Sequence, residues 1–390
     1  MQKLLSRLFP SGEKLEPISP GLYHRMIPEN VENPNRLHLR IEPNGNGLLL
    51  VNAAIVLHLN PTAAEHVYFW LKGFSEGQAS QEIAKRYRVS QTKAFDNQRE
   101  IRDQVLRLVE TPDLDPVLFM GLDRTEPYSE APPAPYRLDC ALTYKSDLSG
   151  KYDPLMRARV DVELSLDEWK SILSKAWEAG IPHVTFTGGE PCLSDDLPIL
   201  IAHCEELGQV TGLLTNGQRL SEKKYLHALD QAGLDHILIT FDPNDAKSVK
   251  GLKAALATDI FTAVHLLVKD ESAIQTIDDL VKKGVTSISL SSPEIENHEF
   301  LQDARDHAAY LGLDLIWDLP VPYSTRNPIS LELESRFPGD GRAWLYVEPD
   351  ADVLPAQGID TILGNMLRDP WAQIWDQALA WHSGRVDSET

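Results

Sequence analysis

From Tyr136 to about Ser324 the chain repeats one unit, an apolar strand followed by an amphipathic helix, and this limits the fold more than any other feature. The strands read RLDCALTY, HVTFTGG, VTGLLTNG, HILITFD, FTAVHLLV, TSISLSS and LDLIWDL. Between them lie helical stretches such as SLDEWKSILSKAWEAG, LPILIAHCEELG, SEKKYLHALDQAG and AIQTIDDLVKKG. Most end in glycine, which takes the left-handed cap conformation without steric penalty. Strands alternating with helices in this way run parallel with helices outside, so the fold class is α/β and the architecture a barrel or part of one.

Side chains alternate between the two faces of a strand. Ile237, Ile239 and Phe241 suit packing beneath helices, whereas His236, Leu238, Thr240 and Asp242 face the lumen. The same division sets Val264, Leu266 and Val268 against His265 and Lys269, and Val184 and Phe186 against Thr185 and Thr187. A partly polar lumen is costly unless its groups find partners, so a ligand cavity is expected.

Upstream the pattern differs. LHLRIEPNGNGLLLV, from Leu37 to Val51, reads as two strands joined by the Asn44 to Gly47 turn, whose residues accept positive φ. Three helical stretches follow: one starting at Pro61 and stopping at Gly73, then SQEIAKRYRVS, then Thr92 to Val109. This is a small winged-helix-like unit. Proline and acid dominate from Thr111 to Pro135, as in a linker. The expected organisation is an extension over 1–36, the winged-helix-like domain over 37–110, the linker over 111–135, the barrel over 136–324 and a C-terminal extension over 325–390.

Hydrophobic residues make up 42% and charged residues 24%, which fits a folded globular chain. No apolar run is long enough for a membrane span and the N-terminus lacks a secretory signal pattern, so the expected location is cytoplasmic. The formal charge of −21 disfavours a polyanionic partner, and nucleic acid is not expected. Cys140, Cys192 and Cys204 are too few and too scattered for a disulfide framework or a closed zinc site.

Leu142 to Asp153 resembles the end of the first strand and the cluster loop of radical S-adenosylmethionine enzymes. That family's Cys-x3-Cys-x2-Cys positions fall on Ser146, Gly150 and Asp153, while the aromatic residue before the last is kept as Tyr152. Thr187-Gly188-Gly189-Glu190-Pro191 resembles the family's GGEP element, which receives the amino group of the methionine moiety. Two glycines let backbone approach a ligand, and Glu190 offers a carboxylate to an ammonium group. Leu214-Thr215-Asn216-Gly217 and Thr240-Phe241-Asp242 resemble the next two strand ends. Tyr346 to Gly358, Ile362 to Asn365 and Trp371 to Asp376 are similar to the SPASM extension, with Ala356 where that family has cysteine. The unit over 37–110 resembles the PqqD-type peptide chaperone of pyrroloquinoline quinone biosynthesis through Leu59 to Ala64, the helix ending at Gly73, and Glu82-Ile83-Ala84.

The resemblance implies a partial (β/α)6-type radical-SAM barrel with an N-terminal peptide-recognition domain and a degenerate SPASM-like remnant. It implies Gly188, Gly189, Glu190, Pro191, Thr215, Asn216 and Asp242 as the site for S-adenosylmethionine or another small molecule. Serine, glycine and aspartate are poor substitutes for three thiolates, so the 4Fe-4S cluster is expected to be absent and the chain to be a non-catalytic relative. Its expected partner is a precursor peptide or an active maturation enzyme. Three alternatives stand beside this reading. The first is a cluster-independent enzyme using Glu190, Asp242, His265 and Lys269. The second is an active radical enzyme with ligands from elsewhere, such as another chain. The third is a DNA-binding regulator carrying Lys85, Arg86, Arg88, Lys93, Arg99, Arg102 and Arg107 on its helices.

Overall fold

The structure, a computed structural model, describes residues 17–27, 35–52, 55–110, 132–146, 160, 162–292, 298–316 and 339–389. The chain divides between Thr125 and Glu126 into two compact units.

In the first unit, β1 (Gly21–Ile27), β2 (Asn35–Ile41), β3 (Gly47–Val51) and β4 (Ile55–Leu59) form an antiparallel meander in that order. The hairpin expected from sequence is β2 and β3, with Leu37 opposite Val51 and Ile41 opposite Gly47. The sheet has two further strands. β1 lies in the stretch read as an extension, and its pairing with β2 over seven residues is a tertiary contact. Helices α1 (Pro61–Leu71), α2 (Glu76–Arg86) and α3 (Gln91–Glu110) follow. Asn60 caps α1 by accepting from Ala63 N, and Ser75 and Gln78 form a capping box on α2. Leu37, Leu39, Ile41, Leu49 and Val51 pack with Val67 and Val105 in one core, which covers one face of the sheet with α1 and α3.

The second unit is the strand and helix alternation expected of it. Its described elements up to α9 are β5 (Arg137–Thr143), α4 (Leu166–Glu178), β6 (His183–Gly188), α5 (Leu197–Leu207), β7 (Val210–Thr215), α6 (Lys223–Gln231), β8 (His236–Thr240), α7 (Ala246–Ala255), β9 (Phe261–Leu267), α8 (Ser272–Lys282), β10 (Ser287–Ser291) and α9 (His298–Tyr310). Strands β5 to β10 pair in parallel in chain order. Gly180, Gly208, Gly233, Gly284 and Gly312 all follow helices with positive φ, as their positions predict. The last expected strand is represented by β11 (Asp314–Leu315), and the remainder of that stretch lies outside the described residues.

The C-terminal stretch adds β12 (Trp344–Val347), β13 (Asp352–Leu354), β14 (Gly364–Asn365) and α10 (Trp371–Glu389). β12 pairs parallel to β5, and β13 and β14 continue antiparallel, extending the sheet to ten strands. Sequence periodicity did not show this, because a four-residue strand carries too little pattern. Val184, Phe186, Ile237, Ile239, Val264, Leu266 and Val268 sit in the large core beneath the helices, as their alternation requires. Leu214, Leu238 and Ala263 form a separate cluster on the opposite, lumen side.

Close backbone approach is most stringent where α7 crosses the end of β7. A Cβ on Gly251 would lie 1.8 Å from Gly217 O, whereas one on Gly77 would meet nothing within 4 Å. Gly251→Ala is therefore expected to destabilise the protein by about 1–3 kcal/mol through overpacking, while Gly77→Ala is expected to stabilise it by about 0.5–1 kcal/mol. Urea unfolding of both variants measures the contrast.

Candidate functional site

The C-terminal ends of parallel strands are where this class of fold places ligands. Here those ends are tied together by polar contacts. Glu190 follows β6 and is 2% exposed. Its Oε1 accepts from Thr215 Oγ1 at 2.7 Å and from Cys192 N at 3.0 Å, and its Oε2 accepts from Asn216 N at 2.8 Å. Thr240 Oγ1 donates to Thr215 O at 3.2 Å, carrying the connection from β7 to β8. In the other direction Gly189 N and Glu190 N donate to Thr143 O and Lys145 O at 2.8 and 2.9 Å. The ends of β5, β6, β7 and β8 thus form one hydrogen-bonded belt. Burial pushes the Glu190 carboxyl pKa up, against the opposing pull of the donors it accepts from.

The glycines before Glu190 serve this belt. A Cβ on Gly188 would lie 2.3 Å from Thr143 O, and one on Gly189 would lie 2.3 Å from Lys145 O. The close approach read from the sequence as an approach to a ligand is, in the structure, the approach of β5. Pro191 opens the short 3-10 turn Pro191–Leu193, and Arg219 donates to Cys192 O while its guanidinium lies 4.0 Å from the Tyr225 ring centroid.

A second set of groups, which sequence reasoning missed, gathers beyond β5. Thr143 Oγ1 donates to Glu163 Oε1 at 2.5 Å, Tyr144 N donates to the same oxygen at 3.3 Å, and Lys145 Nζ donates to Oε2 at 2.8 Å. Burial works against the Glu163 charge, but Lys145 and these donors outweigh it and hold the carboxyl below its usual range. Tyr144 Oη donates to Glu348 Oε1 at 2.8 Å, joining β5 to the residue after β12. The one available signal was the acidic residue just before the helix cap at Ser165.

Gly188, Gly189, Glu190, Pro191, Thr215 and Asn216 are brought together on adjacent strand ends. Asp242 is not among them: it is exposed, and its Oδ1 accepts from Asn244 N at 2.9 Å within its own turn. His265 lies buried between Ser289 Oγ at 3.1 Å and Ser291 Oγ at 2.9 Å, and Lys269 is exposed. Among the described residues no hydrogen bond or ion pair joins Glu190, Asp242, His265 and Lys269. At the opposite end of the strands His183 Nε2 lies 3.3 Å from His236 Nε2, beside the buried Arg137–Asp139 ion pair. Burial lowers His236 to about 4, with Arg137 adding to the effect, and burial lowers His265 to about 3.

Comparison with known proteins gives this architecture its class. Residues 149–291, which lie in the second unit, match the model of the radical SAM superfamily. The chain is 27% identical over 292 residues to a PqqA peptide cyclase of Streptomyces rochei, covering 65% of this chain and 78% of that protein. It is 26% identical over 293 residues to the PqqA peptide cyclase of Rhizobium meliloti (strain 1021), covering 64% and 76%. In structure it is similar to SuiB of Streptococcus suis bound to S-adenosylmethionine, with a TM-score of 0.56 and 16% identity over 87% of this chain and 86% of that one. SuiB bound to its precursor peptide SuiA gives 0.55 and 14% over 92% and 88%. At such identities the likeness shows the fold.

These findings correct one expectation. S-adenosylmethionine was expected to be no more than one possible ligand and the 4Fe-4S cluster to be absent, whereas the match to the radical SAM superfamily implies both. The strand ends at Gly189 and Asn216 fit the first, being polar, adjacent and at the rim. The described thiols do not fit the second. Cys140 and Cys204 are buried in the core beneath the helices. Cys192 is buried at the belt, where burial and then Glu190 push its thiol well up. The segment with Gly150, Tyr152 and Asp153 lies outside the described residues. Among the described residues no group of three His, Cys, Asp or Glu is placed to hold a metal ion.

Two predictions follow from the geometry. Glu190→Ala leaves the donors of Cys192, Thr215 and Asn216 without their acceptor and is expected to cost about 3 kcal/mol in chemical unfolding. His236 and His265 are neutral in the folded state and ionise with a pKa near 6.5 when unfolded, so the unfolded chain takes up protons first. Stability is therefore expected to fall as pH drops below about 6.5, by up to about 1.4 kcal/mol per pH unit for each histidine. The His236 share ends near pH 4 and the His265 share near pH 3. His265→Gln removes one share of the slope in a pH series of urea titrations.

Proposed function

We propose that this protein recognises a precursor peptide during its maturation, taking the peptide on the first unit and S-adenosylmethionine at the strand ends of the second. The observation that carries the reading is the combination of a match to the radical SAM superfamily with a four-stranded sheet whose edge strands, β1 and β4, each have one neighbour among the described strands. Such edges accept an extended peptide as a further strand, with main-chain hydrogen bonds giving affinity and alternate side-chain pockets giving selectivity. Relatedness to PqqA peptide cyclases, and the fold shared with SuiB bound to its precursor peptide, support a peptide as the partner.

The cluster-independent enzyme has less support, because its four candidate residues are not in mutual contact among the described residues. The DNA-binding reading weakens as well. Lys85 pairs with Glu82 at 2.6 Å, Arg86 with Glu65 at 3.5 Å, and Arg102 with Glu76 and Asp103, so these cations form part of a salt-bridged helical face. No helix among the described residues is long and apolar enough to cross a membrane.

Selection of a phage-displayed library of linear peptides against the full chain, followed by hydrogen exchange with the selected peptide, tests the proposal. Exchange is expected to slow at Ile55–Leu59 or at Gly21–Ile27. Protection confined to the second unit, or no selected peptide, would refute the recognition role. Titration calorimetry with S-adenosylmethionine tests the second half, and a chain that gives no heat loses that half.

A further inference from the structure

Glu190 stands where a carboxylate would be expected to meet the ammonium group of a bound amino acid, yet its hydrogen-bonding capacity is directed elsewhere. Both oxygens accept from groups of the protein, three donors in all, and the residue is 2% exposed. Two of those donors, Thr215 Oγ1 and Asn216 N, belong to the end of the neighbouring strand. Thr215 is also 2% exposed, and its Oγ1 accepts in turn from Gly217 N at 3.1 Å. Beyond it, Asn216 is only partly buried and its Oδ1 accepts from Gln218 N at 2.9 Å, which fixes the loop that starts there. The neighbouring Gln218 is held through Nε2 by Asp245 at 2.6 Å, at the start of α7.

From this geometry we infer that Glu190 is a positioning residue of the S-adenosylmethionine site proposed above. It fixes Asn216 and the end of β7 for the ligand, and it does not itself receive the ligand's ammonium group. The inference rests on the barrel mouth being that site. Three of the carboxylate's roughly four acceptor sites are already taken by protein donors, and the burial of the side chain closes off the remaining one from a ligand's ammonium group. The strap is already complete without ligand, so its contribution to binding is preorganisation of the residues that touch the ligand.

The two roles separate in a chemical double-mutant cycle on the full chain. Calorimetry compares S-adenosylmethionine with its analogue lacking the α-amino group, for the native protein, Glu190→Gln and Thr215→Val. Glutamine keeps one acceptor and turns an amide N–H2 toward the other donor, so it breaks the strap on one side. Thr215→Val removes the hydroxyl that Glu190 holds and keeps the side chain's shape. Positioning predicts that both variants weaken both ligands to a similar degree, by about tenfold, with no coupling between residue 190 and the amino group. A loss with Glu190→Gln that appears for S-adenosylmethionine and vanishes for the analogue would overturn the inference, as would a Thr215→Val protein that binds like the native one.

A second arm needs no ligand. The Asn216 amide is expected to exchange slowly in the native protein and rapidly in Glu190→Ala, which removes both acceptor oxygens, while the amides of the β8 core exchange alike in both. An Asn216 amide that exchanges rapidly in the native protein would refute the strap itself. Absence of heat with either ligand would instead remove the S-adenosylmethionine half of the proposed function, and the exchange arm would then judge the strap alone.

Discussion

One buried carboxylate holds the functional end of this molecule together. Glu190 is removed from water at a cost that shows in its raised pKa, and the donors of Thr215, Asn216 and Cys192 compensate for that burial. Parallel strands are joined only by evenly spaced main-chain bonds along their length, and these stop where the strands end. Past that point the loops would be free to splay. The belt from Thr143 and Lys145 through Glu190 and Thr215 to Thr240 continues the ladder beyond the strands, giving four loops one common frame.

The large features of the fold were legible because they rest on local rules. Glycine at the helix ends, and the alternation of apolar residues on β6, β8 and β9, reported backbone conformation and face directly. What sequence could not show were features made by distant partners. β1 is a strand because β2 is beside it, and β12 is a strand because β5 is beside it. The GGEP stretch was legible as a special turn, but its physical reason was not. Its glycines admit the carbonyls of Thr143 and Lys145, residues that lie roughly 45 positions earlier in the chain. Asp242 was placed at the lumen by alternation, yet the strand ends at Thr240, and beyond a strand end the period of two no longer governs where a side chain points.

The lumen shows how such a fold tolerates polarity. His265 is held between two serine hydroxyls, and Arg137 and Asp139 neutralise each other within hydrogen-bonding distance. These groups are neutral or internally paired, which makes a buried polar interior affordable. The same arrangement makes acid the condition that challenges the fold, because protonating His265 puts a buried charge between two neutral serine hydroxyls.

The pairing of β12 with β5 has a consequence for how the chain is made. β5 is the first strand of the parallel set to leave the ribosome, and the strand that covers its outer edge follows roughly two hundred residues later. Throughout that interval the nascent domain carries an exposed main-chain edge, a template for pairing with another chain. Closing it waits for Trp344–Val347, so a product terminated before that strand would retain most of the barrel's helices and strands and yet be prone to aggregate.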